Sequence, residues 1–235
     1  MKIILQKLIA QTNDYSRRQA EQLIRDGLVV LNGKTAVLGD KADETDKIKV
    51  GGQNLKLDAA KKVYIKLNKP AGYTSTTRAF KGEKNILSLV QLPMRLFSVG
   101  RLDKDSSGLI LLTNDGDFAL QLSHPRFQKA KIYEVKTARS DKRPEEIMSA
   151  LKSGINIGDG DGKVKVKHVK YLQNQTFVIT LGEGKKRQIR RMFQMLNIKV
   201  IKLHRTEIAN IKLGNLKTGQ WEYLKPEEIK ITNNK

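Results

Sequence analysis

The side chains best suited to chemistry fall in three short stretches. In Gly100-Arg101-Leu102-Asp103 a glycine allows a tight backbone turn, and a carboxylate directly follows an apolar residue. Asp105, Ser106, Ser107 and Gly108 complete a polar loop ahead of an apolar run from Leu109 to Thr113. Taken alone, an aspartate in such a loop is more often a turn residue than a catalyst. The second stretch, Glu183-Gly184-Lys185-Lys186-Arg187-Gln188-Ile189-Arg190-Arg191, has five cations in nine residues. In the helix expected after it, Ile189, Met192, Phe193 and Leu196 form one apolar stripe. At about 100° per residue, Arg190 sits on the flank of that stripe, where it can meet a buried carboxylate that needs a cation to stay ionised. Arg191 points nearly opposite the stripe, and it and Arg187 are the freer pair to reach phosphates; a solvated basic face is the bland alternative. The third stretch is Lys131-Ile132-Tyr133-Glu134-Val135, on an alternating strand. Tyr133 is either a packing residue or a ring on which an extruded base can stack.

The elements that must position these residues follow from periodicity. Residues 1–58 read as a small separate unit. Leu5, Leu8 and Ile9 have helical spacing. Ser16 and Gln19 fit a capping box for a second helix striped by Ala20, Leu23 and Ile24, and Gly27 suits its C′ position. Strands are predicted at 28–31 and 48–50, with Asn32-Gly33 as a tight turn. Arg17, Arg18 and Arg25 lie off the apolar stripe and are candidates for phosphate contact. Residues 59–62 read as a linker, 63–230 as a sheet-rich second domain and 231–235 as a frayed tail. In the second domain the patterns predict strands at 63–67, 109–113, 132–138, 164–171, 176–181, 200–203 and 207–213. They predict helices at 117–123, 144–152 and 188–196. Gly158-Asp159-Gly160-Asp161-Gly162 reads as a hairpin turn, because a calcium loop would want a Glu where Lys170 stands. His124, His168 and His204 lack ligand spacing, so no metal site is expected. Trp221 and Tyr223 are read as packing residues.

Charge narrows the partner. Against 24 Asp and Glu the chain carries 45 Lys and Arg, a net of +21, with a sequence pI near 10.0. On a folded chain that excess points to a polyanion, and nucleic acid is the best candidate. There is no cysteine, which excludes disulfides, thiolate metal sites and thiol nucleophiles. No apolar run is long enough to span a membrane, no signal peptide is visible, and the expected location is the cytoplasm.

The order of Leu67-Asn68-Lys69-Pro70-Ala71-Gly72, Val99-Gly100-Arg101-Leu102-Asp103, Lys131-x-Tyr133 and Arg187-Gln188-Ile189-Arg190-Arg191-Met192 resembles the RsuA/RluB/RluF family of ribosomal RNA pseudouridine synthases. The run from Arg101 to Gly116 is especially close. Ser16-Arg17-Arg18-Gln19-Ala20 and Val30-Leu31-Asn32-Gly33-Lys34 are similar to the S-four-type RNA-binding domain that these enzymes carry. The resemblance covers about residues 2–229. One departure is Ala209, which stands where the family usually has a glycine after Leu203-His204-Arg205. The resemblance implies an α+β chain: a small alpha-L RNA-binding domain, then a catalytic domain with a mixed, mainly antiparallel sheet flanked by helices. It implies Asp103 as the essential carboxylate, Arg190 paired with it, and Tyr133 stacked on the flipped base. It further implies RNA contacts from Arg17, Arg18, Arg25, Lys69, Arg101, Lys186, Arg187 and Arg191, with Lys69 in a supporting structural or RNA-contact role. The implied partner is ribosomal RNA or a subunit assembly intermediate, with large-subunit RNA slightly favoured. No cofactor or metal is implied, and the protein is expected to act as a monomer. Two other classes stay open: a metal-dependent nuclease using Asp103, Asp105, Asp115 and Asp117, and a non-catalytic RNA-binding assembly factor.

Overall fold

The structure, a computed structural model, describes residues 1–57, 61–76 and 82–230. Half of the expected linker (59 and 60 of 59–62) and the expected frayed tail lie outside the described residues. The chain divides into two compact units, Met1–Val63 with Leu92–Arg95, and Tyr64–Gln91 with Leu96–Lys235.

The first unit begins with β1 (Ile3–Ile4), α1 (Leu5–Gln11) and α2 (Arg17–Arg25). The strands β2 (Val29–Leu31), β3 (Lys34–Thr35), β4 (Lys41–Ala42), β5 (Ile48–Val50) and β6 (Gln53–Asn54) follow. The capping box forms as expected: the Gln19 amide donates to Ser16 Oγ at 3.0 Å, and the Ser16 amide donates to Gln19 Oε1 at 2.8 Å. Asn32 and Gly33 both have positive φ, 50° and 85°, which turns β2 back onto β3. Leu5, Leu8, Ile9, Ala20, Ile24, Val29, Ile48 and Val50 make the core.

The second unit is built on one sheet. Its elements are β7 (Tyr64–Lys69), β8 (Phe97–Val99), β9 (Ser107–Thr113), α3 (Gly116–Ser123), β10 (Lys131–Thr137) and α4 (Pro144–Ser153). They continue with β11 (Ile155–Asn156), β12 (Lys163–Val164), β13 (His168–Tyr171), β14 (Thr176–Leu181) and α5 (Gln188–Met195). The last are β15 (Val200–Ile208), β16 (Ile211–Lys212), β17 (Trp221–Tyr223) and α6 (Pro226–Ile229). The strand order is β13-β14-β10-β15-β9-β7-β17, with β8 paired to β9 and β16 to β15. Every pairing in it is antiparallel except β15 with β9, which run parallel at the centre.

Two strand expectations need correction. The segments 200–203 and 207–213 are not separate strands. β15 runs unbroken through His204, Arg205 and Thr206, because each of these polar side chains finds a partner. Ser107 Oγ and His204 Nδ1 share a hydrogen bond of 2.9 Å, and Arg205 Nε donates to Leu109 O at 2.7 Å. Thr206 Oγ1 donates to Ile132 O at 3.4 Å. Conversely, 164–171 is not one strand: β12 pairs with β11 and β13 with β14, so the chain changes partner between them. The glycine-rich run 158–162 is the hairpin between β11 and β12, as read.

Candidate active site

Asp103 sits in a loop, half-buried, and the loop is held from four directions. Gly100 ends β8 with φ of 71°, a conformation that favours glycine. Leu102 packs inward; its amide donates to Ser75 Oγ at 3.1 Å, and Ser75 Oγ donates to Leu102 O at 2.7 Å. Lys69 Nζ, at the end of β7, donates to Ser106 O at 2.6 Å and to Pro70 O at 3.0 Å. Arg190 Nη2 donates to Asp105 O at 3.0 Å. From β15, Arg205 donates through Nε to Leu109 O at 2.7 Å and through Nη1 to Arg101 O at 3.4 Å.

Lys69 is fully buried, and its ammonium is spent on carbonyls of this loop and not turned to solvent. Burial pushes its ammonium down to about 8, against the opposing pull of Asp105 and Asp103.

The cation nearest Asp103 is not the one expected. Arg187 Nη1 lies 3.9 Å from Asp103 Oδ2, whereas Arg190 Nε lies 3.3 Å from Asp105 Oδ2. Arg187 also makes a two-point contact with Asp105 at 3.1 and 3.0 Å. The cause is the backbone at Arg187, which has φ of 51°. It stands one residue before α5 in the left-handed region, outside the helix whose 100° progression places Arg190 and Arg191. Arg187 folds back over the loop, while Arg190 reaches Asp105 and, through Nη1, Val200 O at 3.2 Å. Burial works against ionisation of Asp105. The hydrogen bonds from Arg187 and the charges of Arg190 and Arg187 outweigh it and hold the carboxyl below its ordinary value.

Arg191 also departs from expectation. Its guanidinium donates to Ile157 O at 2.6 Å, Gly158 O at 2.7 Å and Asp161 Oδ2 at 2.6 Å. It fastens the β11–β12 hairpin to α5 and is not free for phosphates. The hairpin takes up the Arg191 side chain, while Gln194 and Met195 on the far side of α5 stay exposed, and no local periodicity could place that contact. Lys186 and Arg101 are exposed on the rim of the cleft. In the first unit Arg17 and Arg18 are exposed, and Arg25 is exposed but paired with Glu21 at 2.9 Å.

Asp103 and Tyr133 line one cleft of about 510 Å³, within the usual range for a small-ligand site. Its apolar wall includes Leu122, Leu181, Ile189, Leu203 and Ile208. Tyr133 is buried on β10, directly across from Arg205 on β15. The Arg205 guanidinium carbon is 6.0 Å from the centre of the tyrosine ring. Lys131 also lines the cleft; burial first, then the charges of Arg205 and Lys167, push its ammonium down to about 8. Asp115 is spent elsewhere, capping α3 and accepting from Tyr64 Oη at 2.9 Å. It is therefore not beside Asp103 as the nuclease alternative requires.

Sequence reasoning missed Arg205, Lys131 and Ser75. For Arg205 a signal existed: counting by twos from Leu203 along a strand puts it on the inward face. The expected break after 203 concealed it. Ser75 had no local signal.

A carboxylate and a buried aromatic ring thus share one partly apolar cleft with a cationic rim, a form common to enzyme sites. Residues 63–195 match the model of the RNA pseudouridylate synthase family, and residues 5–48 match the S4 domain. The chain is 40% identical over 232 residues to ribosomal large subunit pseudouridine synthase B of Bacillus subtilis (strain 168), covering 96% of this chain and 93% of that protein. It is 40% identical over 228 residues to the dual-specificity RNA pseudouridine synthase RluF of Escherichia coli (strain K12), covering 96% of this chain and 76% of that one. A crystal structure of a pseudouridylate synthase superposes with a TM-score of 0.71 at 30% identity, covering 97% of this chain and 99% of the other. The chain belongs to the RNA pseudouridylate synthase family, with an N-terminal S4 domain, and is a pseudouridine synthase.

Proposed function

We propose that this enzyme converts a specific uridine of ribosomal RNA to pseudouridine, with large-subunit RNA the favoured target, and that Asp103 is its catalytic carboxylate. The names of the two relatives above support the RNA class. The observation that carries the site is that Asp103 and Tyr133, 30 residues apart in sequence, line the same cleft.

The reaction breaks the bond between ribose C1′ and uracil N1 and makes one between C1′ and C5. N1 gains a proton and C5 loses one, so the product is an isomer and nothing is consumed. The base must leave its stack to enter the cleft, at a cost of a few kcal/mol. Contacts of Lys186, Arg101, Arg17 and Arg18 with phosphates offset that cost. Asp103 acts on the ribose, either by adding to it or by removing a ribose proton. Arg187, Arg190 and Asp105 form the charge network beside it, with Arg187 Nη1 3.9 Å from its Oδ2. Tyr133 stacks on the uracil. The enzyme acts in the cytoplasm as a monomer, on free RNA or a subunit assembly intermediate.

Asp103→Asn tests this. Pseudouridine formation should fall by at least about 1000-fold, while RNA affinity stays near wild type. Mapping pseudouridines in both ribosomal RNAs, with and without the gene, reads the outcome. Retained modification by the variant would remove Asp103 from the chemistry, and an identical map without the gene would remove ribosomal RNA as the substrate.

A further inference from the structure

Among the described residues Arg205 is the largest fully buried side chain, with 2% of its surface exposed. Among the described residues no carboxylate lies within ion-pair distance of it, and its Nη2 has no hydrogen-bond partner. Burying an uncompensated cation is costly, and a scaffold alone gives no reason for it, since an apolar residue would fill the same space. Its contacts supply a reason. One guanidinium holds the carbonyls of Arg101 and Leu109, which bracket the segment carrying Asp103. The same group lies over Tyr133, its cross-strand neighbour on β10. Its own strand is fixed at this point by the parallel pairing of Arg205 with Gly108. There the backbones approach so closely that a Cβ on Gly108 would fall 2.2 Å from Arg205 O. Arg205 thus reaches both the Asp103 loop and the Tyr133 ring.

We propose that Arg205 is a positioning residue that sets Asp103 and Tyr133 in register with each other across the cleft. The inference rests on the reading of Asp103 as the catalytic carboxylate. It predicts that removing the guanidinium slows turnover without weakening RNA binding, because Arg205 is shielded from the polyanion. A misplacement of about 1 Å costs on the order of 100-fold in rate.

The experiment compares full-length wild type, Arg205→Met, Arg205→Lys and Asp103→Asn on ribosomal RNA from a strain lacking the gene. It measures kcat, KM and the thermal midpoint. The expected result for Arg205→Met is a kcat loss on the order of 100-fold with KM within about 3-fold of wild type. Arg205→Lys, which keeps the charge but reaches only one carbonyl well, should recover part of that loss. If Arg205→Met is folded and turns over at the wild-type rate beside an inactive Asp103→Asn, the positioning role alone is overturned. If Arg205→Met is inactive while Asp103→Asn turns over, the reading of Asp103 fails and takes this role with it. Loss of the fold in both Arg205 variants would assign the residue to folding and overturn the proposal as well.

Discussion

At the scale of single residues, the site is governed by what burial does to charge. Lys69 and Lys131 are both held near 8, well below an exposed lysine. The sign of the consequence is fixed: between pH 8 and about 10.5 the unfolded chain keeps these protons and the folded chain has lost them. Each lysine therefore contributes stability that increases as pH rises through that window. Urea unfolding of wild type and Lys131→Met should show it, with the variant rising less steeply from pH 8 to 10. Equal slopes would mean that Lys131 is not depressed. Gly108 offers a second test. Its φ is 103°, and the space for a Cβ is already filled by the Arg205 backbone. Gly108→Ala should cost more than about 2 kcal/mol of stability and reduce activity, because the backbone must move where β9 meets β15. A variant within about 0.5 kcal/mol of wild type, the scale of ordinary surface substitutions, would contradict the close approach.

At the scale of elements, the same cationic run serves opposite purposes on successive residues. Arg187 and Arg190 turn toward the Asp103 loop, and Arg191 clasps the β11–β12 hairpin. Arg191→Ala removes the donor to the carbonyls of Ile157, Gly158 and Lys186 and one cation from Asp161. It should destabilise the protein by about 2 to 4 kcal/mol and leave the salt dependence of RNA binding unchanged. A changed salt slope with intact stability would return Arg191 to the phosphate contacts. The capping box of α2 is a milder case. Ser16→Ala removes one of its two reciprocal bonds, and a loss of about 1 kcal/mol is expected in thermal or urea unfolding.

At the scale of the whole molecule, a net charge of +21 sets the terms of association with RNA. The exposed Arg17 and Arg18 on α2 are the best-placed contacts of the first unit. Arg17→Ala with Arg18→Ala should lower affinity and flatten the plot of log affinity against log salt by about one unit per lost phosphate contact. An unchanged slope would show that this helix face does not meet RNA. The larger charge pattern also explains why no single arginine could be read off the sequence as an RNA contact. Of the eight candidates, Lys69 and Arg191 proved to be internal braces, Arg187 is tied to Asp105, and Arg25 is tied to Glu21.

What the amino-acid sequence alone determined is whatever depends on local order. The capping box, the tight turn at Asn32-Gly33, the apolar stripe of α5 and the motif containing Asp103 all act within a few residues, so their physics is legible in a string. Resemblance then joined those motifs into a family and an activity. The tertiary structure decided which cation meets which carboxylate, that β15 runs unbroken beside β9, and that Arg205 lies buried between Asp103's loop and Tyr133. Those facts depend on contacts between residues about 70 to 100 positions apart, and a charged side chain looks the same in a sequence whether water or a carbonyl oxygen surrounds it.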